Sequence, residues 1–329
     1  MPRLTPEERK TNIDHLISNQ LFEDEKLVYA FVLHLYSNRE IDECIEFVRS
    51  LLDSGCGNYS SYYKLWLISL TYLRGSYQEA QKAFFSSNFN DVDERVLQFY
   101  LNKLGFGELY HDFITEETEH FVFHIHPCRY ENQSDIRLKI ERRELGVELV
   151  AKHFFGITLE RKIHYFLWDG ESMKRVFPYS HTCSCYGVVQ EGEYNRDWHE
   201  STHVYNYLYG METPTAFILE GIAVYNEGRK SSVRLKYADA AYKQTGICPS
   251  ICAWWKDPAK FRNANQWIAY TTAGYFILKL RTAYGKEKLL ELAKYQTFED
   301  ACRIYGETNL LNLIDETEHD IIHAEGLST

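Results

Sequence analysis

Residues 198 to 210 read Trp-His-Glu-Ser-Thr-His-Val-Tyr-Asn-Tyr-Leu-Tyr-Gly, which sets His199 and His203 four positions apart with Glu200 directly after the first. On a helix, positions four apart stack on one face, one turn from each other. Two imidazoles so placed can share a metal ion, and neutral histidine nitrogen is a ready ligand of zinc. A carboxylate beside the first ligand can reach a water on that ion and take its proton. The chemistry such a set supports is metal-assisted hydrolysis. A catalytic site of this kind needs a third protein ligand and leaves the fourth place to water. A second apolar helix is predicted after Thr213-Pro214, with Thr213 as its N-cap and Pro214 as its first residue. It carries Leu219-Glu220-Gly221-Ile222-Ala223-Val224-Tyr225-Asn226-Glu227. A turn over Tyr209 to Glu212 folds it back beside the first helix, so that Glu220 faces the two imidazoles and Gly221 lets the helices approach. Glu227, two turns beyond Glu220 on about the same face, is placed to hold a ligating histidine by a hydrogen bond.

These paired signatures resemble the gluzincin metallopeptidases, in particular the peptidase MA-like group that includes aminopeptidases with a Glu-Gly-x-Ala-x-Tyr second helix. The resemblance implies Zn2+ held by His199, His203 and Glu220, with Glu200 as the catalytic base. Tyr270-Thr271-Thr272-Ala273-Gly274-Tyr275-Phe276-Ile277-Leu278 resembles the family's tyrosine-bearing helix. It implies Tyr270 as the catalytic donor to the developing oxyanion. The family's Lys-Gly pair is here Thr272-Ala273, which leaves Tyr275 as the other position for that role. A Gly-rich amine-anchoring signature is missing, so endopeptidase or restricted processing activity stands open beside the exopeptidase mode. The resemblance spans about residues 118 to 320.

The elements that must position these side chains follow from periodicity. His120 to His126 alternates and stops at Pro127, which predicts a strand. A helix is expected over Ile136 to Phe155, strands over Lys162 to Trp168 and Tyr186 to Gln190, and helices almost throughout from Asp197 onward. At the edge of the cleft, the Tyr186 to Gln190 strand would pair with an extended peptide by strand addition. Ahead of this, apolar residues from Glu25 to about Asn88 recur at helical spacing in two helix-turn-helix units, with a third helical stretch over Asp93 to Leu104. Ile41, Cys44 and Val48 precede Tyr77, Ala80 and Phe84 by a constant interval. With Gly75, this set resembles the tetratricopeptide repeat. The expected fold is therefore α+β and mostly helical: an N-terminal helical repeat domain over residues 1–112, then a zincin-like metallopeptidase domain over 118–329 with a small sheet and a two-helix zinc site.

Composition limits the partners. Among 329 residues, 36 Lys and Arg stand against 47 Asp and Glu, a formal charge of −11, which repels phosphate backbones and anionic lipid. Neither nucleic acid nor membrane is expected as a partner. A peptide or protein substrate is, with a further protein partner at the repeats. Met1 to Asn19 lacks an apolar leader and no apolar run approaches the ~18 residues of a membrane span, so a cytoplasmic protein is expected. Eight scattered cysteines fit reduced thiols better than a disulfide framework. His124 and His126 share a strand face without a third ligand in view. His181, Cys183 and Cys185 crowd one loop, and Cys248 and Cys252 lack a second pair; structural roles are expected for all of these. The functional alternative is a catalytically silent protein-interaction scaffold that keeps zinc for stability.

Overall fold

The computed structural model describes residues 11, 15, 28, 31–32, 35, 41–55, 60–105, 107, 110–131, 133–176, 182–185, 187–192, 198–227 and 231–324. The described part is mostly helical with one small mixed sheet, an α+β architecture. It divides into two compact units: residues 1–136 with 160–194, and residues 137–159 with 195–329. The expected joint between residues 112 and 118 falls inside the first unit, where the sheet begins.

In the first unit, helices α1 (Ile41–Asp53), α2 (Ser60–Leu73), α3 (Tyr77–Ser86) and α4 (Glu94–Leu104) precede the sheet. Strands β1 (Ile114–Glu117), β2 (Phe121–Ile125), β3 (Ile163–Leu167), β4 (Thr182–Cys185) and β5 (Val188–Glu191) lie in the order β1-β2-β3-β5-β4. The outer pairs are antiparallel, while β2 with β3 and β3 with β5 are parallel. Alternation in β2 buries Phe121, Phe123 and Ile125 on one face, and β3 is buried along its whole length. Leu65, Ile68 and Tyr72 of α2, Ala80 and Phe84 of α3 and Leu104 of α4 share one core with Phe166, Trp168 and Val188. The tight turn at Gly75, with φ of +88°, brings its backbone against Gly187; a Cβ there would sit 3.0 Å from the Gly187 Cα.

Two expectations for the sheet are corrected. The strand predicted at Tyr186 to Gln190 is β5, and it lies inside the sheet between β3 and β4, buried at all four positions. Its hydrogen-bonding edges are taken on both sides, so it cannot add a peptide strand; Tyr186 itself is outside the described residues. The Ser-, Thr- and Cys-rich loop expected before it contains β4, whose backbone pairs Cys185 with Val188.

In the second unit, α5 (Gln133–Gly146) runs on through π-type turns over Val147–Phe155. The remaining helices are α7 (His199–Leu208), α8 (Ala216–Tyr225), α9 (Ser231–Thr245), α10 (Ile251–Lys256), α11 (Pro258–Asn263), α12 (Gln266–Lys294), α13 (Phe298–Tyr305) and α14 (Glu307–Ile322); α6 (Gly170–Val176) belongs to the first unit. Helix α8 is almost wholly apolar and lies against α12. Gly221 makes that crossing close: a Cβ on it would sit 2.9 Å from Ile277 and 3.0 Å from the Ala273 carbonyl. Gly274 is its counterpart, where a Cβ would strike Val224. Gly221 thus tightens α8 onto α12 and not onto the histidine helix, as the sequence had suggested. The N-cap of α8 is Thr215, two residues later than predicted, because Thr213 bridges to Tyr295 and its hydroxyl bonds Asp300 at 3.2 Å. Among the described residues, no helix is long and apolar enough to cross a membrane.

Candidate metal centre

Helix α7 starts where Trp198 packs on α5. The indole lies where a side chain at Gly146 would be, 2.5 Å from a Cβ built there, and its N–H donates to the Arg142 carbonyl. Thr202 bonds back to the Trp198 carbonyl at 2.7 Å. These contacts fix the first turn of α7, which carries His199 and Glu200, both buried.

His199 Nε2 lies 3.0 Å from Glu220 Oε2, and His203 Nε2 lies 3.6 Å from the same oxygen. The two rings meet edge to face with centroids 4.9 Å apart. On its other side, His199 Nδ1 lies 2.8 Å from Glu227 Oε1. A ligand atom each from His199, Glu200 and His203 also lies within 4.8 Å of the others, which sets the Glu200 carboxylate beside the two imidazoles. Position Glu227 depends on the end of α8. The buried Arg234 of α9 donates to the Val224 and Tyr225 carbonyls there, closing the helix just before Glu227.

The electrostatics follow from this crowding. Burial alone would push the His199 imidazole down. Hydrogen bonds to Glu220 and Glu227, with Glu200 nearby, overcome it and raise its pKa from 6.5 to about 10. Carboxylate oxygens lie at both ring nitrogens, so a protonated His199 donates twice. Burial raises the Glu220 carboxyl, but the charge and hydrogen bonds of His203 and His199 hold it well below the usual carboxylate range.

These groups fit a zinc ion. Tetrahedral zinc with bonds of about 2.0–2.2 Å sets its ligand atoms about 3.4 Å apart, and the observed separations of 3.0 and 3.6 Å bracket that value. The donor set is two imidazoles and a carboxylate, hard and borderline ligands suited to Zn2+.

No family model matches this chain, and neither does any characterised protein or solved structure. The functional reading therefore rests on the site alone.

Tyr270 of α12 lies beside the centre, its ring parallel to His199 at a centroid distance of 6.4 Å and to Phe261 at 5.6 Å. Tyr275 points elsewhere: its hydroxyl donates to Asp320 at 2.8 Å, tying α12 to α14. Of the two tyrosines weighed for the oxyanion role, only Tyr270 is near the histidines. A cavity of about 210 Å³ opens next to it, walled by Tyr270, Glu227, Trp267, Tyr237 and Arg234.

The other clusters seen in the sequence have structural surroundings. His124 Nε2 lies 3.0 Å from His164 Nδ1, under the ring of Tyr77, which stacks on His164 at 4.7 Å. His126 instead meets Asp169 at 3.2 Å. Cys128, Cys248, Cys252 and Cys302 are thiols. Cys183 and Cys185 lie on β4, and His181 is outside the described residues. Sequence reasoning did not find His164, Trp198, Gly146 or Arg234. No local pattern marks any of them, since each acts through contacts distant along the chain.

Proposed function

We propose that this chain is a zinc-dependent metallopeptidase that hydrolyses peptide bonds through a water deprotonated by Glu200. The observation that carries the reading is the convergence of His199 Nε2, His203 Nε2 and Glu220 Oε2 at 3.0 and 3.6 Å, with a second carboxylate, Glu200, beside the two imidazoles. Two carboxylates in different positions on one pair of imidazoles have separable tasks: one to ligate, one to move a proton.

His199, His203 and Glu220 hold the ion, and Glu227 fixes the His199 ring by its Nδ1. Zinc, when bound, supplies Lewis acidity toward the scissile carbonyl and lowers the pKa of a bound water. Glu200 takes the proton of the attacking water and passes it to the leaving amine nitrogen. The Tyr270 hydroxyl donates to the carbonyl oxygen as negative charge grows on it. The neighbouring 210 Å³ cavity receives a side chain of the peptide. Helices α1 to α4, read as tetratricopeptide-like repeats that share the first unit with the sheet, present or select the substrate. The second unit, which holds every residue of the centre, has the zincin-like role.

The test is cleavage of a peptide library by zinc-loaded wild type and by Glu200→Gln. The variant is expected to keep its zinc and lose roughly 10²–10⁴-fold of the rate, the usual worth of a positioned proton-transfer group. Equal cleavage by both would overturn the role of Glu200. Zinc uptake with no cleavage of any peptide or protein would leave a binding scaffold in place of the hydrolase.

A further inference from the structure

The two histidines of the centre are supported unequally. His199 has its second ring nitrogen on Glu227, whereas His203 Nδ1 is buried with no hydrogen-bond partner. One turn further along α7, Asn206 is fully buried, and both its amide nitrogen and its amide oxygen lack partners. Orphaned buried polar atoms are uncommon and costly; Ser201 Oγ and Tyr205 OH share this condition on the same helix, but only His203 Nδ1 belongs to a residue of the centre.

Helix geometry says which groups would meet. Residues 203 and 206 are i, i+3 neighbours on one face, and a helical side chain leans back toward the turn before it, so Asn206 lies over His203. A histidine that ligates through Nε2 must carry its proton on Nδ1, where it needs an acceptor. The Asn206 amide oxygen is a buried acceptor one turn along from His203 with no bond of its own. We propose that Asn206 is a positioning residue: its Oδ1 accepts from His203 Nδ1–H when zinc is bound, and so fixes the tautomer and orientation of the second ligand. This rests on the metal reading above. It gives the two imidazoles different anchors, an anionic one for His199 and a neutral one for His203.

The experiment uses the full chain and zinc alone. Zinc affinity is measured by competition with a chelator for wild type, Asn206→Leu and Asn206→Asp, together with the melting temperature of each metal-free protein. Asn206→Leu is expected to weaken zinc about 10–100-fold, as loss of an outer partner does, while the metal-free protein melts no lower than wild type because two orphaned atoms have been removed. Asn206→Asp keeps the acceptor and is expected to restore affinity to within tenfold of wild type. Nitrogen-15 histidine spectra of the zinc-loaded wild type supply an independent readout: His203 should show a hydrogen-bonded Nδ1–H that shifts in Asn206→Leu. Unchanged zinc affinity and an unchanged His203 signal in Asn206→Leu would overturn the proposal while leaving the metal centre standing. A parallel loss of affinity in Asn206→Leu and Asn206→Asp, with lowered melting in both, would reduce Asn206 to a packing residue. Failure of the wild type itself to take up zinc would remove the metal reading, and this proposal with it.

Discussion

Each compact unit pairs a buried histidine with a partly buried one, and the two pairs behave in opposite ways. In the first unit, His124 and His164 share one hydrogen bond and lie among Tyr77 and Phe166, with no carboxylate bonded to either. Burial lowers both, His124 from 6.5 to about 3 with help from His164, and His164 to about 4 against a weaker pull from Glu117. In the second unit, His199 is buried more deeply still, yet carboxylates on both ring nitrogens raise it to about 10. Burial is common to both; the countercharge decides. Buried imidazoles with no carboxylate bonded to them are neutral core, while carboxylates at the ring nitrogens favour positive charge there.

The largest expected effect comes from removing the countercharge at the centre. Glu220→Ala should weaken zinc by more than the roughly 10–100-fold typical of outer partners, because it deletes a ligand outright. Metal titration checks this, and zinc affinity within tenfold of wild type would show that Glu220 does not ligate. Glu227→Gln comes next. It keeps an acceptor for His199 Nδ1 but loses the charge, and zinc affinity should fall about 10–100-fold with the fold intact.

The pH dependence sharpens the contrast, since the two pairs carry opposite signs. For metal-free protein, the His199 contribution is full below pH 6.5 and is lost as pH rises toward about 10, because the folded state holds the proton more tightly than the unfolded one. The His124 and His164 contribution is full above pH 6.5 and is lost as pH falls toward about 4 and about 3, because only the unfolded chain takes the protons. Hydrogen exchange followed separately in the two units should show the second weakening on the alkaline side and the first on the acid side. On the proposed metal reading zinc would replace the His199 proton, so the stabilisation it gives should grow with pH. Parallel trends in both units would break the comparison.

The smallest effect is expected at the neutral pair. His164→Phe strands one nitrogen of His124 and should cost about 1–3 kcal/mol, while the double change His124→Phe with His164→Phe removes both polar partners and should cost less than the single one. Denaturant midpoints decide the order; zinc affinity should not change in either.

What could be read ahead of the structure divides along the same line of local against distant contacts. The spacing of His199 and His203 was legible because a helix places residues four apart by its own geometry, and Glu220 followed from a second apolar helix after a short turn. Helix content and the β2 and β3 strands were legible from period alone. The start of α8 was misread because the Thr213 hydroxyl is claimed by Asp300, 87 positions away. β5 looked like an edge because its neighbour β4 is four residues of Thr, Cys, Ser and Cys, with no apolar signal. The pairing of His124 with His164 depends on a parallel register between strands 40 residues apart, and no local pattern encodes it. Likewise, the role of Gly221 was visible as closeness but not as to which helix it brings close.

The most direct test is zinc stoichiometry after exhaustive dialysis, measured on the wild type, on His199→Ala and on the double change at His124 and His164. One zinc per chain in the wild type and in the strand-pair variant, with none in His199→Ala, is the expected result. No zinc in the wild type, or the same zinc content in His199→Ala, would contradict it.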